Sequence, residues 1–298
     1  MDAADAQRSR DALAGIAGAA GRAVMKEYEA YGRLVDAGEA TRYAAKKEDD
    51  SPLTRADLAA DGVIKRLLPD VWPGVPVVSE EDDPSAKDVA ETGRVWLVDP
   101  MDGTKEFLSQ NGEFTVNIAL VEAGAPVLGI VFAPVLGRIW FGAVGVGAWR
   151  GETHEEDAKI VWEDISVAGW RRGEPLKVVA SRSHPDPLLG RFLEEIEATG
   201  TVVESIAMGS SLKFCLVADG TAHLYPRFGP TMWWDTAAAH AVVGAAGGTV
   251  TDLNGETLRY AGKTLRNPSF VAGGFPSYPW RRHLADRNRA TGTRQKTA

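Results

Sequence analysis

The stretch Val95-Trp96-Leu97-Val98-Asp99-Pro100-Met101-Asp102-Gly103-Thr104 constrains this chain most. Its four leading apolar residues predict a buried strand. Pro100 has no N–H to donate, so the strand is expected to stop there with Asp99 held extended. Gly103 permits a tight turn. Any fold must therefore place two carboxylates, Asp99 and Asp102, at the end of a buried strand, with the Met101 carbonyl between them. Hard oxygen donors of this kind suit Mg²⁺ or Mn²⁺. No His or Cys lies near, which argues against zinc.

Taken singly, each acid has a plain alternative. Asp99 and Asp102 could be turn or cap residues, and Asp235 a helix N-cap. Glu80 and Glu81, after the apolar run Val75–Val78, could be exposed loop acids. Asp57 fits a capping box with Thr54. Taken together they point elsewhere. Like charges gathered at strand ends repel and are costly to desolvate unless a cation neutralises them.

Periodicity organises the rest of the chain. Helices are expected from Ala4 to Tyr31, from Thr54 to the prolines at 69 and 73, and over Leu188–Ala198, Leu212–Ala218 and Thr236–Ala246. Strands are expected over Val75–Val78, Phe114–Val121, Val127–Phe132, Ile139–Val144, Lys177–Ala180, Ala222–Tyr225 and Thr249–Asp252. Asn254-Gly255 signals a turn. The acidic segment Glu152–Asp164 reads as a solvated loop. Mixed strands and helices without strict alternation indicate a layered α+β or α/β protein.

At 298 residues the chain allows two domains. We expect an α+β unit over residues 1–173 carrying most of the acids and an α/β unit over 174–285 carrying Asp235. Residues 286–298, polar and rich in Arg and Thr, are expected to form a disordered tail. The net charge of −8 disfavours nucleic-acid polymers but not a small anion whose charge is met by bound cations. The single cysteine, Cys215, and an N-terminus without a signal-like basic region suggest a cytoplasmic protein. No segment reads as a membrane span.

Two short segments could hold an anion on backbone N–H groups: Gly103-Thr104-Lys105 and Gly209-Ser210-Ser211, the latter equally readable as a plain Ser cap. Other signals fail. Gly262-Lys263-Thr264 lacks the leading Gly of a P-loop, and Gly145-x-Gly147 lacks the third Gly of a dinucleotide fingerprint. Cys215 reads as an inert core thiol. His184 reads as a loop residue that could touch substrate.

With these residues in view, the chain resembles the inositol monophosphatase superfamily of metal-dependent, lithium-sensitive phosphatases. The resemblance rests on Glu80-Glu81, on Asp99-Pro100-Met101-Asp102-Gly103-Thr104 and on Trp234-Asp235-Thr236-Ala237-Ala238. It is closer to the 3′(2′),5′-bisphosphate nucleotidase branch, the CysQ type. That likeness is carried by Lys47–Thr54, Asp102–Phe107, Asn111–Leu120, Ser181–His184, Gly209–Cys215 and Leu224–Thr231. Met101 and Ala239 are small departures, and the acidic insertion near Glu152–Asp164 is longer than the pattern suggests.

The resemblance implies a layered αβαβα sandwich with the site where two units meet. It implies Mg²⁺ ions, one on Glu80, Asp99 and the Met101 carbonyl, a second on Asp99, Asp102 and Asp235, with Asp57 supporting a third. Glu80 and Thr104 would orient and deprotonate an attacking water, and the Gly103 and Thr104 amides would bind the scissile phosphate. Met101, Asp102, Lys105, Gly209, Ser210, Ser211, Lys213, Arg227 and Asp235 are the further expected substrate contacts, with Arg182 as another candidate cation. The implied reaction removes the 3′-phosphate of 3′-phosphoadenosine 5′-phosphate, or of its 5′-phosphosulfate analogue. The alternatives are an inositol or sugar phosphatase and a non-catalytic metal or nucleotide sensor. The sensor would not need both Glu80 and Thr104.

Overall fold

A computed structural model describes residues 1–39, 43, 45–46, 52–82, 93–154, 157–183, 186–262 and 264–284. The segment 47–51, His184, Lys263 and the tail 286–298 lie outside the described residues.

The chain begins with α1 (Ala3–Asp36), a two-stranded ribbon β1 (Ala45–Lys46) and β2 (Pro52–Leu53), and α2 (Arg55–Leu67). A sheet of seven strands follows in simple sequence order. It comprises β3 (Val77–Ser79), β4 (Arg94–Asp102), β5 (Thr115–Glu122), β6 (Ala125–Ala133), β7 (Arg138–Ala143), β8 (Gly147–His154) and β9 (Asp157–Asp164). The short helix α3 (Thr104–Leu108) sits between β4 and β5. Among the described residues of this sheet, only the β3–β4 pair is parallel.

The second sheet has five strands: β10 (Leu176–Ser181), β11 (Val203–Met208), β12 (Leu224–Arg227), β13 (Thr249–Asp252) and β14 (Phe270–Gly273), in the order β11-β10-β12-β14-β13. Three helices accompany it: α4 (Pro187–Glu197), α5 (Leu212–Ala218) and α6 (Ala237–Ala245).

Side-chain alternation sorts these elements into layers. On β4, Trp96 and Val98 face α1 and α2 with Leu13, Ile16 and Ile64, while Val95 and Leu97 face α5 and α6. A strand buried on both faces needs apolar residues at every position, which is why this segment reads as an unbroken run. The face of the second sheet bearing Val179, Val250 and Ala272 closes on the same two helices, and its other face packs on α4 through Phe192 and Ile196. The result is helix, sheet, helix, sheet, helix: the αβαβα sandwich. No helix among the described residues is long and apolar enough to cross a membrane.

Two sequence expectations are overturned. Glu152–Asp164 is not a solvated loop; it forms most of the β8–β9 hairpin that edges the seven-stranded sheet. Ile160 and Trp162 pack on the core and Val161 between them faces solvent, a period of two that the surrounding charges obscure. The Arg10 guanidinium lies over both Trp149 and Trp162, 5.2 and 4.9 Å from the ring centroids, fastening the hairpin to α1.

Nor does Pro100 stop its strand. β4 runs through it to Asp102 because the ladder shifts register there. Asp99 pairs with Asn117 and Asp102 with Thr115, so three steps on β4 match two on β5. A bulge leaves a residue out of the ladder, which is where a proline can be accommodated.

Candidate metal centre and anion cleft

The bulge decides where the first two acids point. Residues three apart on a regular strand face opposite sides of a sheet. The extra residue between Asp99 and Asp102 removes that opposition, and the Met101 N–H closes the bulge on Asp99 Oδ1 at 3.0 Å. The Met101 side chain is buried in the core against α1 and α2.

Asp235 arrives from the other half of the chain. Helix α6 lies on β6 and β7 where both strands carry glycine. A Cβ at Gly129 would fall 2.0 Å from the Ala238 carbonyl oxygen, and one at Gly142 would fall 2.5 Å from Val242 Cα. This close approach brings the start of α6 down onto the end of β4. Thr236, not Asp235, is the N-cap. The Asp235 carboxylate instead accepts the Met232 N–H at 2.8 Å.

Glu80 follows β3, and its turn is anchored by a cluster that sequence reasoning missed. Ser79 Oγ donates to Asp61 at 2.6 Å, the Ser79 N–H to Asp82 at 2.7 Å, and Lys65 Nζ bridges Asp61 and Asp82 at 2.6 Å each. The only prior signal was Asp61 and Lys65 at i and i+4 on α2.

Oxygen atoms of Glu80, Asp99 and Asp235 thus come within 4.8 Å of one another. Asp99 is buried, and burial followed by the charges of Glu80, Asp102 and Asp235 pushes its carboxyl well above the usual range. Asp235 is pushed up by burial and then by Asp102 and Glu80. Asp102 is raised by burial, opposed by Lys213 and the Ser211 hydroxyl. Such a donor set, oxygen-only and mutually repelling, fits a hard divalent cation.

Asp57 is the capping-box residue of α2, accepting the Thr54 N–H and hydroxyl at 2.7 Å each. Burial raises its carboxyl to about 7, with Glu81 and Glu80 adding to the rise, so the cap also borders the acidic group.

Next to the acids lies a cleft of about 240 Å³. Asp102, Gly103, Thr104, Lys105, Ser210, Lys213, Arg227 and Asp235 line it, as do Glu106 and Tyr225, which were not among the expected contacts. Gly103 has φ +98°, and a Cβ there would crowd Ser210 and the Glu113 carbonyl. Lys213 is buried, 5.6 Å above the Tyr225 ring, and desolvation lowers its ammonium to about 8. Arg227 donates to the Pro230 carbonyl at 3.3 Å, and its Nε has no hydrogen-bond partner among the described residues.

Besides Met101, whose side chain is in the core, three expected contacts do not line the cleft. Gly209 is behind the wall, its N–H donated to Glu113 Oε2 at 2.7 Å. Ser211 is buried and makes no side-chain cap on α5; its hydroxyl lies 2.8 Å from both Asp102 Oδ2 and the Asp235 carbonyl. Arg182 is held by Glu113 rather than facing the cleft. Cys215 is buried, and burial pushes its thiol up, as befits a core residue.

This arrangement has known counterparts. The model of the inositol monophosphatase family matches residues 5–292. The 3′(2′),5′-bisphosphate nucleotidase CysQ of Salmonella typhimurium is 48% identical over 252 residues, 84% of this chain and 94% of that protein. The Escherichia coli K12 protein of the same name is 45% identical over 261 residues, covering 87% and 97%. Among solved structures, CysQ from Bacteroides thetaiotaomicron superposes with a TM-score of 0.74 at 36% identity, over 90% of this chain and 97% of that one. An inositol monophosphatase from Anabaena shares the fold, with a TM-score of 0.65 at 22% identity over 95% and 97%.

Proposed function

The chain belongs to the inositol monophosphatase family, and from that premise we propose that it is a Mg²⁺-dependent 3′(2′),5′-bisphosphate nucleotidase. Its substrate is 3′-phosphoadenosine 5′-phosphate, hydrolysed to AMP and phosphate, with the 5′-phosphosulfate analogue as a second substrate. The observation that carries this reading is the contiguity of two opposite fields. The acids Glu80, Asp99 and Asp235 converge beside a cleft whose wall holds the buried Lys213 and the half-buried Arg227. A phosphate monoester needs only the acidic end. A substrate with a second anionic group also uses the cationic wall, which favours the nucleotidase over an inositol or sugar phosphatase.

Glu80, Asp99, the Met101 carbonyl, Asp102 and Asp235 would hold two Mg²⁺ ions, with Asp57 beside a third position. When bound, these ions supply charge neutralisation and Lewis acidity at the phosphate. The protein's own groups do the rest. The amides of Gly103 and Thr104 hold the phosphate oxygens. Thr104 Oγ1 orients the attacking water, and a Glu80 carboxylate oxygen takes its proton. The new bond forms between water oxygen and phosphorus as the bond to the ribose 3′-oxygen breaks, and that oxygen leaves with a proton from solvent. Lys213 and Arg227 hold the 5′-phosphate. The site lies between the units 1–173 and 174–285, and the charge on Lys213 ties nucleotide affinity to pH.

A substrate panel with purified protein and Mg²⁺ tests the reading. Adenosine 3′,5′-bisphosphate should be turned over with a higher kcat/KM than inositol 1-phosphate. The reverse order would reassign the protein within its family, and no turnover of either would favour a non-catalytic sensor.

A further inference from the structure

Asp102 is not a member of the Glu80–Asp99–Asp235 group, although it ends the same strand as Asp99. Its Oδ2 is instead drawn toward the second half of the chain. Ser211 Oγ lies 2.8 Å from it, and Asn117 Nδ2 lies 2.9 Å from that hydroxyl and 3.5 Å from Asp102 Oδ2. The same Ser211 oxygen is 2.8 Å from the Asp235 carbonyl. One hydroxyl therefore touches an acid of β4, the backbone of a second acid at the start of α6, and an amide on β5.

The proton inventory orients the network. Asn117 Nδ2 faces two oxygens, so it donates to Ser211. Ser211 has a single hydrogen for two acceptors, and the carboxylate is the stronger of them. Asn117 Oδ1 is left buried with no hydrogen-bond partner among the described residues. A buried orphan acceptor opposes stability. An apolar residue facing Asp99 across the ladder would remove that cost, but it would also remove the donor. Asn117 is the register partner of Asp99, so the position that faces one acid on the ladder restrains the other through Ser211.

We propose that Asn117 and Ser211 are positioning residues that hold Asp102 apart from the Glu80–Asp99–Asp235 group and thereby create a second, separate cation position. Among the described residues the Ser211 hydroxyl is the hydrogen-bond link between Asp102 and the start of α6, and without it the carboxylate keeps only the long 3.5 Å contact to Asn117 Nδ2 and the attraction of Lys213. The inference deepens the proposed function and rests on its metal reading. It assigns Ser211 to the metal centre rather than to the nucleotide.

Mn²⁺ binding, read by electron paramagnetic resonance and calorimetry on the full chain, tests this without reference to turnover. The wild type should bind at least two ions. Ser211→Ala should weaken one site by about tenfold or more, the scale expected when a ligand loses its supporting hydrogen bond, and leave the other unchanged. Ser211→Thr, which keeps a hydroxyl, should restore the weakened site. A merely structural role would lower the melting temperature and move both sites together, and that result overturns the proposal, as does an unchanged weaker site. Should Ser211→Ala fail to fold, Asn117→Ser reads the same contact from β5, with an unaltered weaker site again the contrary result. A wild type that binds no Mn²⁺ would instead sink the metal reading on which the inference rests.

Discussion

Arg182 and Glu113 join the two sheets through a two-pronged ion pair, with Nε to Oε2 at 2.8 Å and Nη2 to Oε1 at 2.7 Å. The pair is unequal. Arg182 is about half exposed, whereas Glu113 is mostly covered and also accepts the Gly209 N–H at 2.7 Å. Arg182→Ala should therefore cost no more than about 1 kcal/mol, as for other exposed pairs. Glu113→Ala also strands the Gly209 N–H and should cost about 1–3 kcal/mol. Because Gly209 leads into the Ser210 wall of the cleft, Glu113→Ala should raise KM more than Arg182→Ala does. Equal losses of stability and KM in chemical denaturation and kinetics would contradict this ordering.

The acids make the metal-free protein less stable as pH rises from acid to neutral. The folded-state carboxyl of Asp57 is raised to about 7 from 3.8, so the folded state holds the proton more tightly than the unfolded chain does. Its contribution to stability is therefore greatest below about pH 4 and is lost as pH rises towards 7. Asp99, Asp102 and Asp235 are raised too and act in the same direction. Melting temperatures in a chelator should fall across this range, and Mg²⁺ should flatten the fall. Asp57→Asn should reduce the slope. A chelated protein that gains stability from pH 4 to 7 would refute the argument.

Asp99→Asn separates repulsion from function. The neutral amide removes one charge from a buried like-charged group, so the metal-free variant should melt at or above the wild-type temperature. It should also lose turnover and most of the stabilisation by Mg²⁺, because the acid faces both proposed cation positions. Near wild-type activity would show that Asp99 holds no metal.

Lys213 predicts a second pH dependence, read in nucleotide affinity rather than in stability. Burial lowers its ammonium to about 8, so its charge fades as pH rises through that value. KM for a bisphosphate nucleotide should climb above pH 8. Lys213→Met should raise KM by roughly 10–100-fold at neutral pH, the worth of a hydrogen bond to a charged group. It should also abolish the climb. An identical climb in the methionine variant would assign the effect to another group.

Gly129 tests how Asp235 is delivered. A methyl group there would sit 2.0 Å from the Ala238 carbonyl oxygen, so α6 must move. Gly129→Ala should cost about 3 kcal/mol, the upper end for overpacking. It should also weaken divalent-ion binding by calorimetry, since the start of α6 carries Asp235. Loss of stability with unchanged ion affinity would mean that the helix adjusts without moving the acid.

Much of this protein was legible from local pattern. Helix α5 begins and ends where its apolar run does, at Leu212 and Ala218, and β13 occupies the expected Thr249–Asp252. The acids at 80, 99, 102 and 235 stand out because charge directly after or beside an apolar run is expensive to bury. Such signals depend on neighbours along the chain, so the chain alone carries them. The tertiary structure decided what depends on neighbours in space. Pro100 stays in β4 because β4 bulges there against β5, and the hairpin of β8 and β9 pairs as an edge because Ile160 and Trp162 find the core behind α1. Ser211, readable as a simple cap, gives its hydroxyl to Asp102 because α5 lands beside the end of β4. Glycine backbones at 129 and 142 set how closely α6 approaches, and that approach joins Asp235 to acids far away in sequence. A hydrogen bond or a repulsion acts over a few ångströms, and only the packing of the layers determines which groups come that near.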